Sequence, residues 1–426
     1  MEVNLPVVSE KKITRKSIDV VPFGFKMADY IRWGFLVADE TAEVKKDDLF
    51  LIKIKPLKLP ENTMISSLGV AKHPIVTVLD VIGKETSFQG EKLIDSVLVI
   101  SSKNGVVEKG DLIGAVKILF IGAGIITRLR SVEIPKVEYG DEKVEFTIKY
   151  MEKDKIKSFK AVKSTHGYIR SNLGYTEYFI SNENTEVKAG KIAEIKIKPV
   201  DLPASTVTVN CGVMENYNGC VIDFSANIRL IEERRVIDRV LFLPAEDGKI
   251  TKGELLGVAY IYYIATKPPE IDFIEKRITK AAIKYIEDGI REKRMKYIHP
   301  KYYRRKETGR WDIIVSDENK EVVKGIPSLI KIRELVLPEN SIVTPLYIMR
   351  NPMGTLLKVH QPGIYDLRGE KFITHALFLP AVSGEVKKGD LIGVINVYNV
   401  EIMTMEKMLS ELEYWRERTN FRFKKI

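Results

Sequence analysis

One phrase occurs three times along the chain and constrains the fold more than any other feature: Asn104-Gly105-Val106-Val107-Glu108-Lys109-Gly110-Asp111-Leu112-Ile113-Gly114, Asp247-Gly248-Lys249-Ile250-Thr251-Lys252-Gly253-Glu254-Leu255-Leu256-Gly257 and Ser383-Gly384-Glu385-Val386-Lys387-Lys388-Gly389-Asp390-Leu391-Ile392-Gly393. Asn-Gly, Asp-Gly and Ser-Gly are turn dipeptides, and the Lys-Gly step that follows marks a second turn where glycine bends freely. Short apolar runs precede the phrase at residues 97–100, 240–243 and 376–379. Val-, Ile- and Tyr-rich runs follow it at 112–121, 255–264 and 391–400. Each copy therefore reads as strand, turn, strand, turn, strand.

The repetition extends well beyond the phrase. Residues 44–121 lie on the second copy without a gap, Val44 falling on Val187 at an offset of 143 residues. Leu59-Pro60 becomes Leu202-Pro203 and then Leu337-Pro338; the third copy runs at an offset of 278, then 279 after one insertion. A period near 140 residues means tandem whole domains, because solenoid units are only ~20–50 residues long. The expected organisation is mainly β: repeat one at 1–133, repeat two at 134–268 and repeat three at 297–402. A helical connector is expected at 269–296. Pro268-Pro269 opens it, and Ile271, Ile274, Ile278, Ala281 and Tyr285 recur at helical spacing. A C-terminal helix with a basic tail is expected at 403–426, with Met408, Leu409, Leu412 and Trp415 on one side.

Composition narrows the class. The 426 residues are 45% hydrophobic and 30% charged, with glutamine only at positions 89 and 361, a thermophile-like usage. Cys211 and Cys220 have no zinc-like spacing and no disulfide framework around them, and residues 1–12 have no apolar signal core. The longest apolar stretch, 115–126, is too short to span a bilayer and contains Lys117. These features point to a cytoplasmic protein without a membrane partner. The net charge of +10 permits attraction to an anionic small molecule or to nucleic acid.

The triple arrangement, the Leu-Pro step, the Ile-Asp-x-Val-Leu strand and the Lys-Gly-Asp-Leu-Ile-Gly turn resemble the archaeal Domain of Unknown Function 22 family. That resemblance covers most of the chain and implies an archaeal source without an assigned activity. A more distant likeness is to the trimeric dUTP pyrophosphatases and their β-clip relatives. It rests on the order of Val-Lys-Ala-Gly at 187–190, Leu202-Pro203, Val236-Ile237-Asp238 and Lys252-Gly253-Glu254. It implies three β-clip-like domains forming a covalent pseudo-trimer, with sites at the junctions between units. In those enzymes an aspartate activates water and a tyrosine stacks on the sugar. Asp95 and Asp238 match the aspartate, but Leu98 and Leu241 replace the tyrosine, and the motif arginines and the glycine-rich C-terminal arm are missing. Fold transfers more readily than chemistry.

Two constellations are candidate sites. Asp80 with Asp95, and Asp223 with Asp238, form equivalent acid pairs suited to a magnesium ion or an activated water, with Asp95 and Asp238 as the catalytic candidates. Repeat three replaces both members, by Lys358 and Thr374. Residues 291–310 carry nine Lys or Arg and two Glu. Within them, Arg294, Tyr297, Tyr302, Tyr303, Arg304 and Arg305 combine the cations and rings that a single-stranded nucleic-acid surface needs, although an ordinary solvated face is the favoured reading. The five histidines are scattered without metal-ligand spacing. The expected function is a non-catalytic ligand-binding or assembly protein. A magnesium-dependent nucleotide hydrolase with sites between repeats is the first alternative, and nucleic-acid binding through 291–310 the second.

Overall fold

The computed structural model describes residues 2–9, 12–19, 23–68, 73–83, 91–123, 143–152, 155–164, 167–226, 233–265, 278–346 and 351–423. Repeat one opens with a hairpin, Glu2–Ser9 against Lys12–Asp19, followed by a long strand, Phe23–Val37. Then come Ala42–Val44, Leu49–Leu59, Thr63–Leu68, Val76–Gly83, Lys92–Ser101, Gly105–Val107 and Leu112–Ala123. Repeats two and three follow the same order, and one helix, Met405–Phe423, closes the chain. The repeated phrase forms the short strand, turn and exit strand expected of it. Gly110, Gly253 and Gly389 turn at φ of 93°, 84° and 91°, where a β-carbon would be strained.

The expected connector helix at 269–296 is corrected by the structure. Residues 269–277 of the expected helix lie outside the described residues. The remainder is a hairpin, Thr279–Glu287 against Ile290–Ile298, that opens repeat three as its counterparts open repeats one and two. Its turn is Asp288-Gly289, with φ of 48° and 75°, the pairing of positive angles that favours a two-residue β-turn between twisted strands. Ala281, Ala282, Ile283 and Tyr285 are all buried, so the run read as one helical stripe is a strand covered on both faces. The C-terminal helix appears as expected: Met408 and Leu412 are buried in the core of repeat two, with Trp415 against them.

Three long strands join the repeats. Gly167–Ile180 pairs with Phe23–Val37 through Gly167↔Arg32 and with Tyr302–Val315 through Tyr175↔Tyr302. Tyr302–Val315 returns to Phe23–Val37 through Arg310↔Gly24. By the repeat offsets these are one and the same pairing made three times, so the connections close on themselves. The exit strands lie between two cores. In Leu255–Ala265, Val258, Tyr260, Tyr262 and Ile264 face the core shared by all three repeats, while Ala259, Ile261 and Tyr263 face the core of repeat two, which the C-terminal helix completes. Burial on both faces explains why these strands read as unbroken apolar runs rather than alternating ones.

A second closed set links each opening hairpin to a neighbouring repeat. The carbonyl of Gly110 accepts from Thr147 N at 2.8 Å, that of Gly253 from Ala282 N at 2.9 Å, and that of Gly389 from Asn4 N at 2.9 Å. The acid after each glycine is buried and turns back on its own loop: Asp111 accepts from Glu108 N, Glu254 from Thr251 N and Asp390 from Lys387 N. Cations from the incoming hairpin meet two of these acids. Arg15 forks onto Asp390 at 2.8–3.1 Å, and Lys284 reaches Glu254 at 3.0 Å. Asp111 has His73 of its own repeat at 3.5 Å, which gives that histidine a structural partner.

Asp390→Asn keeps an acceptor for the turn and removes the charge facing Arg15. The expected loss is ~3–5 kcal/mol, since one member of a buried pair is left uncompensated. Lys109→Met, at the exposed Lys109–Asp39 pair, should cost less than ~1 kcal/mol. Urea unfolding midpoints compare the two, and equal losses would show that the Arg15–Asp390 pair does not hold the hairpin.

Candidate functional site

The aspartates of each expected pair go to different places. Asp80 and Asp223 are buried between repeats: Asp80 Oδ2 accepts from Thr355 Oγ1 of repeat three, and Asp223 Oδ2 from Thr77 Oγ1 of repeat one, each at 2.9 Å. Asp95 is half-buried and accepts from its neighbour Ser96, and Asp238 is exposed. Among the described residues no group of three His, Cys, Asp or Glu is placed to hold a metal. The change at Lys358 has a physical account. At the third junction the threonine is replaced by Cys220 and the aspartate by Lys358, and Lys358 Nζ instead meets Glu215 at 3.4 Å.

The basic segment is divided by burial. Tyr302, Tyr303 and Arg305 are buried, which withdraws them from any nucleic-acid face. Arg304 is held by Glu401 at 2.6 Å and Glu411 at 3.0 Å. Arg294 and Tyr297 remain exposed on the hairpin, Arg294 paired with Glu292 at 3.0 Å. The sequence pattern of alternating cations and rings thus spans a hairpin strand and a core strand whose side chains diverge.

What the fold does assemble is a cavity of ≈150 Å³ between repeats two and three. Repeat two contributes the end of its long strand, with Tyr178, and the segment containing Glu215 and Tyr217. Repeat three contributes the hairpin, with Tyr285 and Tyr297, and the stretch from His360 to Leu367. The segment before Glu215 is fixed across the junction. Gly212 N donates to Val343 O, and Val359 N to Gly212 O, both at 2.8 Å; a β-carbon on Gly212 would stand 2.7 Å from the Val343 oxygen. Glycine is required there by close approach.

The electrostatics of the cavity are those of polar groups removed from water. Burial raises the Glu215 carboxyl above its usual range, with Lys358 pulling the other way. Burial, with His375 beside it, lowers His360 to about 4, so its ring is neutral near pH 7. Glu215 Oε1 and His360 Nδ1 are buried without hydrogen-bond partners. Nearer solvent, Lys296 is exposed and Lys301 half-buried, the latter's pKa lowered chiefly by burial. Tyr365 donates to or accepts from Tyr260 at 2.8 Å, and Tyr260 reaches Cys211 Sγ at 3.0 Å, behind the cavity wall. One signal of this site is present in the repeats: Glu215 aligns with Lys72 and Arg350, a reversal of charge at one position.

The fold and the cavity together define a three-repeat, mainly β protein with a candidate binding site between two of its repeats. The chain belongs to the family described as domain of unknown function DUF22, whose model matches residues 2–105, 144–248 and 277–384. The third match begins beside the hairpin that stands where a helix was expected. An uncharacterized protein of Methanocaldococcus jannaschii is 26% identical over 106 residues, covering 25% of this chain and 82% of the relative. Among solved structures, an α-mannosidase from Enterococcus faecalis V583 aligns at 9% identity over 93% of this chain. Its TM-score is 0.10, too low to carry any argument about fold, and the chain spans only 45% of that structure's length. No described helix is long and apolar enough to cross a membrane.

His360 gives the cavity a pH signature. Its folded pKa, about 4, lies below the ordinary 6.5, so the unfolded chain takes up the proton first. Its contribution is present above pH 6.5 and is lost as pH falls toward 4, by up to ~3 kcal/mol. Chemical unfolding at pH 7 and pH 4.5 should show a smaller acid-side loss for His360→Gln than for the unsubstituted chain.

Proposed function

We propose that this chain is a non-catalytic binding protein, a covalent pseudo-trimer of β-clip-like repeats that holds a small molecule between repeats two and three. The closed sets of long-strand and hairpin pairings support the pseudo-trimer. The observation that carries the binding function is Glu215 Oε1, a buried acceptor of a cavity-lining residue that has no hydrogen-bond partner among the described residues. Such an atom costs ~1–3 kcal/mol while it is unmade, and a ligand N–H or O–H would remove that cost. His360 Nδ1 offers a second polar contact. Tyr178, Tyr217, Tyr297 and Tyr365 supply ring faces and edges, and Lys296 and Lys301 supply positive charge toward solvent.

Size limits the ligand. A cavity of ≈150 Å³ is about what holds one benzene ring, and drug-sized sites run to ~300–1,000 Å³. The ligand class is therefore a single-ring organic acid carrying an N–H or O–H group. A nucleoside triphosphate is too large for this cavity, which weighs against nucleotide hydrolysis here.

Thermal-shift and calorimetric titration with single-ring carboxylates that carry an N–H or O–H group tests the proposal. Saturable binding, weakened about tenfold by Lys301→Ala and more strongly by Glu215→Gln, is expected, from loss of a charge-assisted contact worth ~1.4 kcal/mol or more. Magnesium-dependent pyrophosphate release from nucleoside triphosphates that disappears in Asp238→Asn would overturn it in favour of the hydrolase.

A further inference from the structure

A second, smaller cavity lies where the exit strands of the three repeats meet, and its lining holds cations but no acid. Its volume is ≈20 Å³. Its walls are built from equivalent positions of the repeats: Leu119, Tyr262 and Tyr398 form one such set, and Ser66 and Thr344 belong to another. Arg170 and Arg305 also share one repeat position, filled in repeat one by Met27. Lys117 completes the lining.

Three cations thus border a space scarcely larger than a water molecule, and all are buried: Lys117 is 8% exposed, Arg170 5% and Arg305 7%. No carboxylate lines the cavity. Arg170 donates to the Ala28 carbonyl at 3.1 Å. Arg305 lies between two rings, 4.6 Å from the centroid of Tyr262 and 5.1 Å from that of Tyr398, and its buried Nε has no hydrogen-bond partner. Neither Lys117 nor Arg305 forms an ion pair with a carboxylate among the described residues. Ring faces offset part of the cost of burying a guanidinium, about 2 kcal/mol at best. They do nothing for the repulsion between Lys117 and Arg305, and a buried charge costs several kcal/mol unless it is neutralised. That strain is visible at Lys117, whose pKa falls to about 7 through burial and the neighbouring Arg170.

We propose that this cavity binds one small inorganic anion of halide size, which neutralises Lys117 and Arg305 and ties the three repeats together at their common centre. The Ser66 and Thr344 hydroxyls are further donors in the wall. Volume selects the size. One water needs ~10–15 Å³ by the same measure, so a single halide is accommodated and a tetrahedral oxyanion is not without moving the tyrosines.

The test is thermal unfolding of the full chain, prepared in gluconate and titrated with chloride at constant ionic strength. A midpoint that rises and saturates is expected, because an anion bound only by the folded state stabilises it by mass action. Lys117→Met should weaken the apparent chloride affinity at least tenfold, and Arg305→Met provides the same reading if the first variant does not fold. Crystals soaked in bromide should show an anomalous peak between Lys117 and Arg305, a readout that needs no variant. A midpoint indifferent to chloride, an undiminished response in the variants that fold, or bromide absent from this cavity would overturn the proposal. A larger shift with phosphate or sulfate than with chloride would overturn the halide assignment.

Discussion

When Asp111, Glu254 and Asp390 fold back to accept an N–H from three residues upstream, the glycine between is held at positive φ and its carbonyl is turned outward. That carbonyl is what the next hairpin binds. One local turn therefore does two things: it reverses the chain within a repeat and presents an acceptor to a neighbour. The acid cannot be moved to the surface without losing both. Its burial demands a counter-charge, which Arg15 and Lys284 bring from the neighbour. A buried pair of this kind is weak evidence for net stability, but it specifies geometry, because leaving either partner alone is costly. The hairpins are consequently docked by charge as well as by backbone bonding.

Within that frame the repeats are free to differ where they touch. Two junctions use a threonine donating to an aspartate, Thr77 to Asp223 and Thr355 to Asp80. The third replaces the threonine with a thiol and the acid with Lys358, then restores neutrality with Glu215. Burial pushes the Cys220 thiol up to about 11, so it contributes bulk rather than charge there. Glu215, which lines the cavity, meets Lys358 through one oxygen, and its other oxygen is buried without a hydrogen-bond partner among the described residues. The cavity chemistry thus follows from how this junction was balanced.

Much of the fold was legible in the residues. The Lys-Gly-acid phrase marks the turns, the Leu-Pro steps mark the register of the repeats, and the C-terminal stripe of Met408 and Leu412 marks the helix. The hairpin of repeat three was not legible because Ile278, Ala281 and Tyr285 satisfy a helical period while Asp288-Gly289 signals a turn. Tertiary pairing with Gly253 decides between them. The sites were less legible for a related reason. Asp80 and Asp95 share a repeat and look like a pair, yet Asp80 crosses to Thr355 in another repeat. Sequence proximity reports which strand carries a residue; it does not report which repeat lies opposite.

Both cavities occur where equivalent positions cease to carry equivalent charge. Glu215 stands against Lys72 and Arg350 in the other repeats, and Lys117 against Tyr260 and Asn396. The long-strand pairings that join the repeats recur three times regardless of these charges, so that part of the scaffold neither requires nor excludes the substitutions. Their cost is local: an unpartnered acceptor at one cavity, three cations without a lining carboxylate at the other. A chain under selection for stability alone would fill such positions with apolar side chains of similar volume, which is often neutral or stabilising. Unequal charge at equivalent positions of two separate cavities is better accounted for by two ligands, a donor-bearing organic acid at the junction and an inorganic anion at the centre.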